Sequence, residues 1–202
     1  MHQSPGPKSE ESMDKTASEL GYETRDWNVV VSVEPRRFRM AREVLRDLGR
    51  VSRTPFYNIL ALKVADVPTL LTTLAEWRSL NPQILSCVSR IAPATETFDF
   101  TTKEEFEDKA RKSVLKFAPQ LAHKSFHVRI RRRGHKELIS SHDQERLLDD
   151  ALLDALQAAG TPGRIAFEDP DAVVAIDTVG DRSGLALWTR QDMERHPFLK
   201  VD

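Results

Sequence analysis

The first sustained apolar pattern in the chain is Trp27-Asn28-Val29-Val30-Val31-Ser32-Val33, a β-branched run that predicts a strand. Pro35 is expected at a helix start, where its missing N–H costs nothing, and Phe38, Ala41, Leu45 and Leu48 recur at helical spacing until Gly49. A short strand at Arg50 to Arg53 and a longer one at Tyr57 to Val64 follow, joined through Thr54-Pro55. Asp66 is a good N-cap for a second helix with Val67, Leu70, Leu71, Leu74 and Trp77 on its inner face, stopped by Asn81-Pro82. Ile84 to Ile91 reads as the next strand, ending at Pro93.

Strand, helix, strand, strand, helix, strand is the split βαβ order of a ferredoxin-like fold, expected over residues 23–93. Residues 94–101 have turn and polar character with Phe98 and Phe100 as docking residues, and are expected to link to a second domain at 102–202. That domain opens on a helix: Thr102 and Glu105 have capping-box spacing, and Phe106, Ala110, Val114 and Phe117 share a face. Phe126, Val128 and Ile130 then alternate with His127, Arg129 and Arg131, which predicts a strand with one buried and one basic face. Ser141 and Gln144 repeat the capping-box spacing, and Leu148, Ala151, Leu152, Ala155, Leu156 and Ala159 give the buried stripe of a helix that exits at Gly160. Short strands are expected at Arg164 to Phe167, Val173 to Val179 and Leu185 to Thr189, with turns at Asp169-Pro170-Asp171 and from Gly180 to Gly184. Alternating helices and strands imply an α/β, or α+β, layer structure.

Composition narrows this picture. Residues 1–22 are rich in Ser, Glu, Lys and Pro and poor in large apolar groups, so a disordered leader is expected. The 30 basic and 31 acidic side chains nearly cancel, so attraction to nucleic acid through global charge is not expected. Charge is nonetheless concentrated: Ala122 to Lys136 holds six Lys or Arg and no acid. Arg gives planar, bidentate contacts to phosphate oxygens, so this strand end and its Gly134 turn form a plausible polyanion-binding edge; the alternative is a solvated strand face. The single Cys87 excludes an internal disulfide and a CxxC motif. No apolar run reaches the roughly 20 residues of a membrane span and no signal-peptide core is present, so a cytoplasmic protein without membrane partners is expected.

Catalytic constellations are sparse. His123 and His127 lie roughly 13 Å apart if both are on a strand, too far to share a metal. Asp149 and Asp150 are expected on a solvated helix face, and Glu168-Asp169-Pro170-Asp171 reads as a capped turn. The chain has no phosphate-binding Gly-Lys loop, no dinucleotide fingerprint and no nucleophile elbow, so no cofactor and no metal is expected.

The second half resembles the THUMP domain, the tRNA-binding module of 4-thiouridine synthetases, tRNA methyltransferases, pseudouridine synthases and a tRNA acetylation cofactor. The residues that carry the likeness are Phe126 to Gly134, Ser141 with Glu145-Arg146, Asp169-Pro170-Asp171 followed by Val173 to Asp177, Gly184, and His196-Pro197-Phe198-Leu199. Ser89-Arg90-Ile91-Ala92-Pro93 is similar to the domain junction in the acetylation-cofactor branch. The resemblance implies a noncatalytic adaptor whose two domains hold the acceptor stem and 3′ end of a tRNA for a separate acetylation- or thiolation-type enzyme. A-form RNA offers phosphates and 2′-hydroxyls to such a clamp. The implied contacts are Lys124, Arg129, Arg131, Arg132, Arg133 and Lys136, with Gly134 permitting close backbone approach, Ser140 and Ser141 at a helix N-terminus, and Arg182 in the later turn. Arg36, Arg37, Arg39 and Arg42 either extend this track or form a solvated face. Two other readings stand beside it: a protein-interaction module with a basic strand, and a small RNA-modifying enzyme using Asp169, Asp171 and Asp177.

Overall fold

A computed structural model describes residues 26–201; the expected leader at 1–22 lies outside them. The β-branched run forms strand β1 (Val29–Val33), which pairs antiparallel with both β3 (Ile59–Lys63) and β4 (Val88–Pro93), while β2 (Arg50–Arg53) pairs with β3. The resulting order is β2-β3-β1-β4. Helices α1 (Phe38–Leu45) and α2 (Val67–Leu80) bury Ala41, Leu45, Leu70 and Leu74 against Val29, Val31, Leu60 and Leu62. Each such side chain contributes roughly 1.5–3 kcal/mol on burial. Asp66 caps α2 as the sequence indicates, accepting the Thr69 N–H at 2.7 Å.

Two local expectations fail here. Pro35 does not start a helix: it lies in a turn with Arg36 at φ 66°, and α1 begins at Phe38 without a side-chain cap. Ile84 to Cys87 is not strand either. Asn81, Gln83 and Leu85 carbonyls accept the N–H groups of Ile84, Ser86 and Val88, so successive turns use the backbone groups that a sheet would need.

The second sheet has the order β5-β9-β8-β6-β7. Its strands are β5 (Glu96–Asp99), β6 (Ser125–Arg131), β7 (Arg164–Ile165), β8 (Ala172–Val179) and β9 (Arg182–Thr189), with β6 parallel to β7 and β8. Helices α3 (Lys103–Leu115) and α4 (Ser141–Ala158) cover one face, where Phe106, Leu148 and Leu152 meet Phe126, Val128, Val174 and Ile176. A short α5 (Arg190–Arg195), fixed by a Thr189–Asp192 capping box, follows β9; its six residues are too few for a periodic signal.

The segment expected as a linker is largely strand: β5 pairs with β9, and Thr95 N–H bonds the Leu185 carbonyl at 2.8 Å. The turn before β9 is only Gly180-Asp181, because Arg182, Ser183 and Gly184 already belong to the ladder. Gly184 permits a close approach between the two halves. A Cβ there would lie 2.7 Å from Ala94 Cβ and 2.8 Å from Trp27 Cζ3. Trp27, Val30, Ile59, Ala61, Ala92 and Val179 form one apolar cluster, so the first sheet's second face is covered partly by the second sheet. Among the described residues no helix is long and apolar enough to cross a membrane.

Candidate nucleic-acid interface

Strand β6 carries the basic residues, but its second face is not simply solvated. His127 is buried, with Nδ1 2.9 Å from the Ala166 carbonyl oxygen. Arg131 is half-buried and donates from Nη2 to the Lys200 carbonyl at 3.2 Å. The alternation of apolar and basic residues is right; the partners that His127 finds in Ala166 and Arg131 in Lys200 are what the pattern lacks.

The organising group is Asp177 on β8, fully enclosed where the two sheets meet. Arg90 of β4 grips it with Nη1 and Nη2, at 2.7 and 2.8 Å, and Arg133 Nη1 adds a third bond at 2.8 Å. Burial pushes the Asp177 carboxyl up, but the hydrogen bonds and charges of Arg90 and Arg133 more than offset this and hold it below the usual carboxylate range. Burial lowers the proton affinity of Arg131, and the neighbouring Arg90, Arg129 and Arg133 lower it further against the opposing pull of Asp177. Arg90 and Arg133 thus share the Asp177 carboxylate, with Arg131 close beside them.

Arg133 is engaged internally: its side chain is 15% exposed, it donates to Asp177 and Ser32 Oγ, and its carbonyl accepts the Gly180 N–H. Arg182 is engaged internally as well. It donates to the Trp27 carbonyl, Asp99 Oδ1 and Thr97 Oγ1, tying β9 to the first sheet and to β5. Arg129 keeps a side chain 48% exposed, with Glu145 at 3.8 Å. Arg132 bonds the Gly134 carbonyl at 3.2 Å, and Lys136 is exposed just beyond. Gly134, at φ 92°, makes its close approach to Phe56 and Gly180: a Cβ there would lie 3.2 Å from Phe56 Cζ. Lys124 precedes β6 and is roughly 20 Å of strand away from this turn, so it is not part of the group.

The cap of α4 is Ser140, whose Oγ accepts the Asp143 N–H at 3.4 Å; Ser141 is the first helical residue, and the expected box with Gln144 does not form. Gln144 instead turns inward to donate to Glu107. Asp149, expected on a solvated face, is also buried. Strand β7 covers only Ser125 and Phe126 on the outer edge of β6, and α4 supplies acceptors for the rest. Asp149 takes the Val128 N–H at 2.8 Å and Glu145 the Ile130 N–H at 2.7 Å, so side chains one helical turn apart satisfy an open sheet edge.

Burial pushes the Asp149 carboxyl up to about 7, with Glu145 and Asp150 adding and the Val128 N–H opposing. Because the folded value is raised, the folded state holds a proton that the unfolded chain has already released. This group's contribution to stability therefore falls as pH rises from about 4 to about 7 and is level above. Asp149→Asn, which can still accept from Val128, is expected to gain in unfolding midpoint relative to the parent between about pH 5 and about pH 8. A parent–variant difference that stays constant across that range refutes the assignment.

The three carboxylates of the enzyme reading do not converge. Asp171 accepts the Ser125 N–H and hydroxyl and meets Arg190, which also pairs with Asp169. Asp177 lies six residues beyond Asp171, roughly 20 Å along the strand. Among the described residues no group of three or more His, Cys, Asp or Glu is placed to hold a metal.

Sequence reasoning missed Arg90 as a clamp, Lys200 beside Arg131, and Arg53, whose guanidinium lies 5.7 Å above the Phe38 ring centroid. One signal was available: Asp177 interrupts the apolar run Val173 to Val179, and a charge inside a doubly buried strand requires a partner.

No protein-family model matches the chain, and no curated protein matches it. Solved structures do. PH1313 from Pyrococcus horikoshii is 13% identical, with a TM-score of 0.53 over 80% of this chain and 54% of that one. TrmN from Thermus thermophilus is 18% identical, with a TM-score of 0.53 over 79% of this chain and 44% of that one. A 4-thiouridine synthetase, solved with RNA and ATP, is 12% identical, with a TM-score of 0.51 over 79% of this chain and 40% of that one. This chain spans about half, or less, of the length of each. At these identities the likeness is one of fold, and it covers both sheets.

Proposed function

We propose that this protein is a tRNA-binding unit that holds the acceptor stem and 3′ end for a separate modification enzyme of acetylation or thiolation type. The observation that carries the proposal is the arrangement at the end of β6, where Arg90 and Arg133 are bonded to Asp177 while Arg129, Arg132 and Lys136 lie outside that clamp. The inner pair fixes the junction and the outer three offer charge to phosphate oxygens. Two further facts support it: the fold is shared with a synthetase solved with RNA, and the second half resembles the THUMP domain. The noncatalytic part of the proposal rests on Asp169, Asp171 and Asp177, all of which hold internal partners.

The test is equilibrium binding of a tRNA with an intact 3′ end, titrated against salt. Log affinity is expected to fall linearly with log salt at a slope of about −2 to −3, as three phosphate contacts require. Excess polyglutamate is expected to leave the complex intact. Binding insensitive to salt, or displaced by polyglutamate, favours the protein-interaction reading instead. Modification of the tRNA by this protein without a partner overturns the adaptor role.

A further inference from the structure

Tyr57, on the loop between β2 and β3, is 82% exposed among the described residues. The loop around it is held rigidly. Thr54 is buried, donates from Oγ1 to the Ile59 carbonyl at 2.9 Å and accepts the Phe56 N–H at 3.2 Å. Asn58 adopts a left-handed φ of 55°, and its carbonyl accepts the Val33 N–H at 2.8 Å. Phe56 turns inward onto the cluster of Trp27, Val30 and Val179 and against Gly134. Its neighbour Tyr57 therefore stands out from a fixed base beside the Arg132–Gly134 turn.

The stretch of sequence that carries Tyr57 is one-signed. Arg53 ends β2 at the same end of the first sheet, since Arg53 pairs with Leu60 and Ser32 with Ile59. Ser32 is also the residue that Arg133 reaches. No Asp or Glu occurs in the sequence between Asp47 and Asp66. The other large exposed apolar side chains lack this combination. Phe167 is followed by Glu168 and Asp169, whose charge repels phosphate, and Met40 and Leu80 have no ring.

We infer that Tyr57 is a stacking platform for the base of an unpaired nucleotide, flanked by Arg53 and Arg132 as contacts for the adjoining phosphates. This rests on the tRNA-binding reading and extends it: the site takes single-stranded RNA next to the duplex, through the first sheet's loop. A ring held in place before binding loses little conformational entropy when a base stacks on it, and stacking tolerates any base because every base has a π-face.

The experiment compares two RNA hairpins, one blunt and one extended by unpaired 3′ nucleotides, with 2-aminopurine placed at each unpaired position in turn. The full chain is expected to prefer the extended hairpin and to quench one of these positions. Tyr57→Ala is expected to lose roughly 5- to 150-fold in affinity for the extended hairpin, and the quenching with it, without loss on the blunt one. Tyr57→Phe retains the ring and is expected to restore both. A Tyr57→Ala variant that matches the parent, or that weakens both hairpins equally, overturns the assignment to Tyr57 and leaves the tRNA-binding reading standing. A parent that binds neither hairpin overturns that reading itself.

Discussion

Asp177→Ala is expected to lower the unfolding free energy by about 3–5 kcal/mol, measured as the shift in denaturant midpoint at constant slope. The carboxylate is buried and accepts two bonds from Arg90 and one from Arg133. Its removal takes from Arg90 and Arg133 the anion they both bond, so the loss is that of an uncompensated charge and not of one hydrogen bond. A typical domain is stable by only about 5–15 kcal/mol, so the variant is expected to unfold at markedly lower denaturant. The pH dependence has the opposite sign to that of Asp149. Asp177 is held below the usual carboxylate value, so its contribution is present above about pH 4 and is lost as pH falls through the folded value. Arg90→Ala is expected to cost a similar amount, and the double variant less than the sum, because each single change strands the other partner. A loss under about 1 kcal/mol for Asp177→Ala removes the clamp from the account.

What the sequence made legible was local. The valine run of β1, the Asp66 cap and the alternation along β6 each act within a few residues, and the element order of the first sheet follows from them. What it hid was pairing across the chain. Arg133 and Arg182 look like their basic neighbours in the sequence, yet their partners Asp177, Ser32, Trp27 and Asp99 lie 44 to 155 residues away. Asp149 has the same difficulty in reverse. Its place beside Asp150 suggests a solvated face, but β7 is too short to cover the edge of β6, and only the assembled sheet shows that the Val128 N–H lacks another acceptor. The candidate interface was thus visible as a charge cluster and not as a division of labour within it.

That division determines which substitutions report on RNA. Changing Arg129, Arg132 and Lys136 together to Gln is expected to weaken tRNA binding at least about 100-fold at low salt, since a bond to a charged group contributes roughly 1.5–3 kcal/mol. The salt slope is expected to become shallower by about 2–3, one increment for each phosphate no longer neutralised. Stability is expected to change by less than about 1 kcal/mol: Arg129 has only a half-exposed pairing with Glu145 at 3.8 Å, and Lys136 is exposed. Gln is the better choice at 129 because Glu would stand beside Glu145 and raise Asp149 further. Including Arg133 would confound the result, since its loss weakens the Asp177 clamp and an unfolded protein also fails to bind. A triple variant that keeps the parent's fold, affinity and salt slope would show that Arg129, Arg132 and Lys136 meet no polyanion.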